Sequence, residues 1–275
     1  MDTSAETCEI WAKVPTLEYD ADTSLFIWYG NASAVAYAAD DTFGSQNVWT
    51  SNYKLVHHAV DGFYGSTSNG NNGVNSSASI TASGKIGVAY DFDNDDYIYA
   101  PHDASLSYGT GDFFAQFWMK TSEASYEWAF SKGDGGAQGR FTIGVNTTLQ
   151  AEIGDGSNTV AKSMGTTINT GSWFKITVNY DRSGNVEAFI NGVSDGTESI
   201  TSVGSVTNTS RVGISAAINN ADTANAGLTA IIDEARTGTG LINVDWDLTE
   251  YNNQSSPSTF WTPVSGGGRR VFLIS

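Results

Sequence analysis

Cysteine is almost absent: Cys8 is the single one, so no disulfide can close within the chain. Basic residues are scarce as well, 13 Lys and Arg against 30 Asp and Glu, for a formal net charge of −17. So acidic a surface cannot displace phosphate counterions, which excludes nucleic acid as a partner, and it is repelled by anionic membranes. Charged residues of both signs make up only 16% of the chain, below the usual quarter or so. The polar surface must therefore come from Ser, Thr, Asn and Gly. Four prolines against 30 glycines exclude an extended linker and imply many tight turns. No apolar run approaches the ~20 residues of a bilayer span, and membrane insertion is not expected. No secretory leader is legible, so export is expected to use a signal outside this chain or release with a virion. The Asn-x-Ser/Thr sequons at Asn31, Asn75, Asn146, Asn208 and Asn253 are near chance in so Asn-, Ser- and Thr-rich a sequence.

Helical periodicity is nearly missing too. What is present is 40% hydrophobic and 12% aromatic residues in strict alternation. "DFFAQFWMK" (112–120) puts Phe113, Ala115, Phe117 and Met119 on one face and Phe114, Gln116, Trp118 and Lys120 on the other. "SWFKITVNY" (172–180) repeats the pattern, with Phe174, Ile176, Val178 and Tyr180 inward. "DRSGN" (181–185) predicts a turn into "VEAFI", and Asn191-Gly192 predicts a tight hairpin because both central residues must take positive φ. "RFTIGV" and "LQAEIG" flank another turn at 146–148, and "TAIIDEA" (229–235) reads as a late strand. Turn signals every eight to twelve residues predict an all-β fold: a two-sheet antiparallel β-sandwich. One short helix is predicted over "VDWDLTEYNN", capped by Asn243, with Asp245 and Asp247 near the positive end of its dipole. Residues 65–79 read as a loop. "SGGGRRVFLIS" reads as a Gly hinge with either a flexible end or a strand that docks onto a partner.

A series of segments follows in a set order. "YKLVHHAVDG…STSNGNNG" (53–73) is an opening strand and an Asn/Gly loop, and "GKIGVAYDFDNDDYIYAP" (84–101) carries an Asp-rich turn. "GDFFAQFWMK", "FSKGDGG" (130–136), "TGSWFKITVNYDRSGNVEAFINGV" (170–193), "IIDEARTG" (231–238) and "DWDLTEYNNQSSPSTFW" (245–261) come next. Together they resemble the LamG-like, concanavalin A-type lectin/glucanase superfamily in its bacterial and phage surface-protein form. The resemblance covers roughly residues 50–261 and implies a jelly roll over 50–255. Upstream, "EIWAKVPTL" and "SLFIWYGNASA" resemble the second half of a domain of unknown function that often precedes such domains. Residues 1–49 are thus expected to form a partial N-terminal β appendage, and 256–275 a C-terminal tail.

The resemblance also implies a loop-bound Ca²⁺. Asp93, Asp95 and Asp96, joined by Asp233 from the late strand, are the expected ligands, since Ca²⁺ takes six to eight oxygens from carboxylates, carbonyls and water. The competing reading is a solvated turn, because Asp and Asn bond their own backbone there. Catalysis is not expected. The Glu-x-Asp-x-x-Glu strand of the related glucanases is absent, and adjacent Asp233 and Glu234 should face opposite ways, one buried and one solvated. His57 and His58 should diverge for the same reason, and His102 is isolated, so no histidine metal site is expected. Aromatic platforms for sugars are the remaining option: Trp118, Tyr126 and Trp128, with Asp134, Asn219 and Asn220 on a binding rim, set against plain packing of Trp118 and Trp173. Tyr97 and Tyr108 also lie near loops. The expected function is a non-catalytic recognition or adhesion module for a glycan or cell-surface polysaccharide. The expected setting is extracellular, on a virion or bacterial cell surface. The alternatives are a structural spacer contacting other subunits of such an assembly, and an unusual glycanase.

Overall fold

The computed structural model describes residues 10–14, 16, 31–60, 62–133, 138–219, 221, 223–260 and the backbone of 273–274. Among these, two antiparallel sheets of eight and seven strands form a sandwich. In spatial order the first sheet runs Val193–Ser199, Asn185–Ile190, Trp173–Tyr180, Phe113–Thr121, Ala230–Thr239, Ala89–Phe92 and Ser79–Thr81. Tyr53–His57 pairs in addition with Ala230–Thr239. The second sheet runs Thr159–Thr167, Thr148–Gly154, Arg140–Val145, Glu127–Lys132, Val212–Ile214, Tyr97–Ala100 and Val74–Ser76.

The alternation decides the core. Phe113, Ala115, Phe117 and Met119 meet Phe130, Phe141 and Ile143 of the opposite sheet, all essentially inaccessible to solvent. The rings of Phe113 and Tyr180 stack at 4.3 Å and those of Phe117 and Phe130 at 6.0 Å. Tyr108 belongs to this core, stacked on Phe113 at 4.6 Å, so it presents nothing to a ligand. The Asn191-Gly192 hairpin forms as its sequence requires, with φ of 56° and 79°. Residues 65–73 are a loop, but Val74–Ser76 becomes an edge strand by pairing with Tyr97–Ala100.

The outer face of the eight-stranded sheet is also buried. Helix α1 (Val244–Ser255) lies across it, its first amides accepted by the Asn243 side chain, and Trp11 and Trp49 cover the region beside it. Lys175, Thr177 and Gln116, outward on their strands, are therefore enclosed. Buried charge is tolerated only when paired and hydrogen-bonded. Here Lys175 binds Asp247 and, at 3.1 Å, Glu250; Arg236 binds Glu250 and, at 2.6 Å, Glu234. The Arg236 guanidinium sits 4.9 Å and 4.7 Å over the rings of Trp11 and Trp49. The tail strand Leu273–Ile274 pairs in parallel with Trp11–Ala12 of the same chain. Residues 31–47 hold turns and a 3₁₀ turn at Ser45–Asn47, with no strand among them.

Candidate functional site

The covering segments leave part of the outer face of the seven-stranded sheet open. Strand pairing lines up Trp128, Gly144, Gln150 and Ser163 as a transverse row on that face, with Ser131, Thr142, Glu152 and Ala161 as the next row. A bulge around Ala129 in the Glu127–Lys132 strand turns Trp128 outward while Ala129 and Phe130 enter the core. Tyr126 then folds back over the strand beside it. A Cβ on Gly144 would stand 2.3 Å from the Tyr126 hydroxyl and 2.4 Å from Cζ, so the ring is seated where only glycine leaves room. The hydroxyl donates to Gln150 Oε1 at 2.9 Å. The rings of Tyr126 and Trp128 meet edge to face, centroids 4.9 Å apart at 86°. Tyr126 remains 37% exposed, which makes it accessible as well as fixed.

A hairpin, Ala216–Ile218 with Ala224–Ala226, folds back over the middle of the same sheet and walls one side of the open area. Ser131 donates to Ala216 O at 2.7 Å, which binds it down. At its exit Gly227 lies against the Glu127 carboxylate. Burial, reinforced by Glu123, holds the Glu127 carboxyl above the ordinary range. Burial and then the charge of Glu152 push the Tyr126 hydroxyl up as well, so it stays a neutral donor. Arg140, a cation on this face, is engaged: its Nε donates to Glu152 at 2.7 Å and an amino group to Thr159 at 3.0 Å. Thr142 is 1% exposed, and its hydroxyl has no partner among the described residues.

Of the predicted ligand residues, the structure thus joins Tyr126 and Trp128. Trp118 is corrected: it is 2% exposed under α1, its indole donating to Gln254 and its ring stacked on Tyr251 at 5.8 Å, so no face is left for a sugar. Asn219 closes the hairpin tip, its Oδ1 accepting from Ala221 and Thr223. Asp134 and Asn220 lie outside the described residues. Gly144, Gln150 and the Arg140–Glu152 pair were missed by sequence reasoning; the isolated glycine within "RFTIGV" was the available signal.

The predicted calcium ligands do not form a set. Asp93 and Asp96 close their own turn through the Asp93 N–H to Asp96 Oδ2 bond of 3.1 Å and the reverse backbone bond of 3.0 Å. Asp233 is turned elsewhere, accepting the Ile86 N–H at 2.8 Å. Among the described residues no three His, Cys, Asp or Glu side chains are grouped to hold a metal ion. The expected contrast of one buried and one solvated acid at Asp233-Glu234 is corrected too: they are 0% and 2% exposed. A bulge with Glu234 at φ 55° brings its carboxylate onto Arg236 and His58, both within the enclosed network. The opposite charges of His58 and Arg236 outweigh burial and hold Glu234 below its ordinary value.

The family model described as the concanavalin A-like lectin/glucanases superfamily matches residues 92–240, just over half of the chain. The chain belongs to this superfamily. Among solved structures it is similar to the binding domain of Paraclostridial Mosquitocidal Protein 1, with a TM-score of 0.62 and 15% identity, over 73% of this chain and 52% of that one. The botulinum neurotoxin serotype G binding domain gives 0.61 and 17%, over 75% and 52%. Domain 4 of AbnA, a GH43 extracellular arabinanase from Geobacillus stearothermophilus, in complex with arabinotriose, gives 0.57 and 18%, over 72% and 97%. The chain thus spans about half the length of the two toxin binding domains, and at these identities the similarity is one of fold. No curated protein matches the chain in sequence.

Proposed function

We propose that this sandwich is a non-catalytic glycan-binding module and that the sugar is taken at the Tyr126–Trp128 corner. The observation that carries the reading is an accessible, perpendicular aromatic pair seated on Gly144 on the outer sheet face that α1 does not cover. A sugar ring presents apolar C–H faces that stack on such rings, while Gln150 and Ser163 supply polar atoms nearby. The arabinotriose-bound domain of similar fold supports this class of ligand. A binding role without catalysis is supported by the adjacent acids of the late strand: Glu234 is consumed in ion pairs and Asp233 accepts a backbone amide, neither facing an open cleft. Extracellular display on a virion or bacterial surface is part of the proposal, and contact with other subunits would suit the exposed Val35, Tyr37 and Phe43.

The experiment is a glycan array followed by titration with Trp128→Ala. Retention of at least one glycan class by the wild type is expected to weaken tenfold or more in the variant, about 1.4 kcal/mol, with the melting temperature little changed. Absence of any Trp128-dependent retention would instead favour the spacer reading.

A further inference from the structure

We infer that the Tyr126–Trp128 corner selects neutral glycans and rejects those carrying a carboxylate; the inference rests on the binding reading above. Recognition of a sialic or uronic acid needs a cation or a group of free N–H donors facing the bound sugar. Among the described residues no free cation stands beside the aromatic pair, and Arg211, on the same sheet face, is stacked over the Tyr99 ring at 4.2 Å. Arg140 is closed onto Glu152 and Thr159, and its side chain is only 12% exposed. Lys132 is buried and donates to Ser210 O at 2.5 Å. Lys162 is register-paired with core-facing Ala151 and lies 3.9 Å from Glu198 of the other sheet, away from the aromatic pair. The described residues of the hairpin tip, Asn219, Ala221 and Thr223, are all uncharged.

What surrounds the rings is acceptor-rich instead. Glu127 precedes Trp128 directly, Glu152 lies one row from Gln150, and the Tyr126 hydroxyl already donates to Gln150. Hydroxyl groups of a neutral sugar can donate to these oxygens. A carboxylate would meet like charge in a partly desolvated site and find no partner, which is the repulsive element that specificity requires.

The test is an array pairing matched neutral and carboxylated oligosaccharides, galactotriose against trigalacturonate and lactose against sialyllactose, probed with the whole chain. Trp128-dependent retention is expected on neutral members, with carboxylated partners at least tenfold weaker. Glu152→Ala, which removes both the charge and the acceptor held by Arg140 Nε, is expected to narrow that ratio. Tyr126→Ala serves as a second aromatic variant, and melting curves check that each variant is folded. Trp128-dependent retention of carboxylated glycans equal to their neutral partners would overturn the selectivity while leaving glycan binding intact. No retention by any glycan would overturn the binding reading and this inference with it.

Discussion

His57 shows how one side chain couples this fold to pH. Its ring is fully buried, with Nε2 2.9 Å from Asn71 O and Nδ1 without a partner among the described residues. Burial, aided by His58 and opposed by the Asn71 contact, lowers its pKa from 6.5 to about 4. The folded state therefore prefers the neutral ring, while the unfolded chain takes up a proton below its ordinary value. The stability this confers is complete above pH 6.5 and declines as pH falls towards 4, by roughly 3 kcal/mol at ~1.4 kcal/mol per unit. Glu250, held near 2 by Lys175 and Arg236 against its burial, extends the loss in the same direction below pH 4.5. Melting temperatures measured from pH 7 to 4 are expected to fall for the wild type and to fall less steeply for His57→Gln. Parallel curves for the two proteins would show that His57 does not set the slope.

At the scale of elements, α1 is the informative case. Asn243 accepts from the Asp245 and Trp246 amides at 2.8 Å and 3.4 Å, as its position before "VDWDLTEYNN" predicts. Asn243→Ala is expected to cost about 1 kcal/mol, read as a lower midpoint in urea with an unchanged slope. No change in midpoint would mean that packing alone holds the first turn. The face that α1 buries was not legible, because it is polar: Asp247, Glu250, Asn253 and Gln254 are all enclosed. A search for an apolar stripe finds nothing there. The partners, Lys175 and Arg236, come from strands that alternation alone marks as carrying polar residues outward.

For the molecule as a whole, the carboxylates bear on calcium. With Asp93 and Asp96 tied into their own turn and Asp233 held by Ile86, no cage of acids is prebuilt among the described residues. Melting in EDTA and in excess Ca²⁺ is expected to agree within a degree. A ligand present at a hundred times its Kd would add about 2.7 kcal/mol, so a rise of several degrees would restore the ion. The Asp-rich turn lies where the chain crosses between the two sheets, from Ala89–Phe92 to Tyr97–Ala100, a place where Asp and Asn bond their own backbone.

Local chemistry in the chain was enough to settle the sandwich itself. A side-chain period of two assigned Phe113, Ala115, Phe117 and Met119 to one face, and Asn191-Gly192 could only turn sharply. Tertiary structure alone decided which outer face stayed open, because that depends on α1 and Trp11 arriving from opposite ends of the chain to cover one sheet. Trp118 and Trp128 are each outward on their strands, and alternation cannot tell them apart. One is sealed by Gln254 and Tyr251, and the other stands beside Tyr126 over a glycine, since contacts between residues distant in sequence leave no periodic trace.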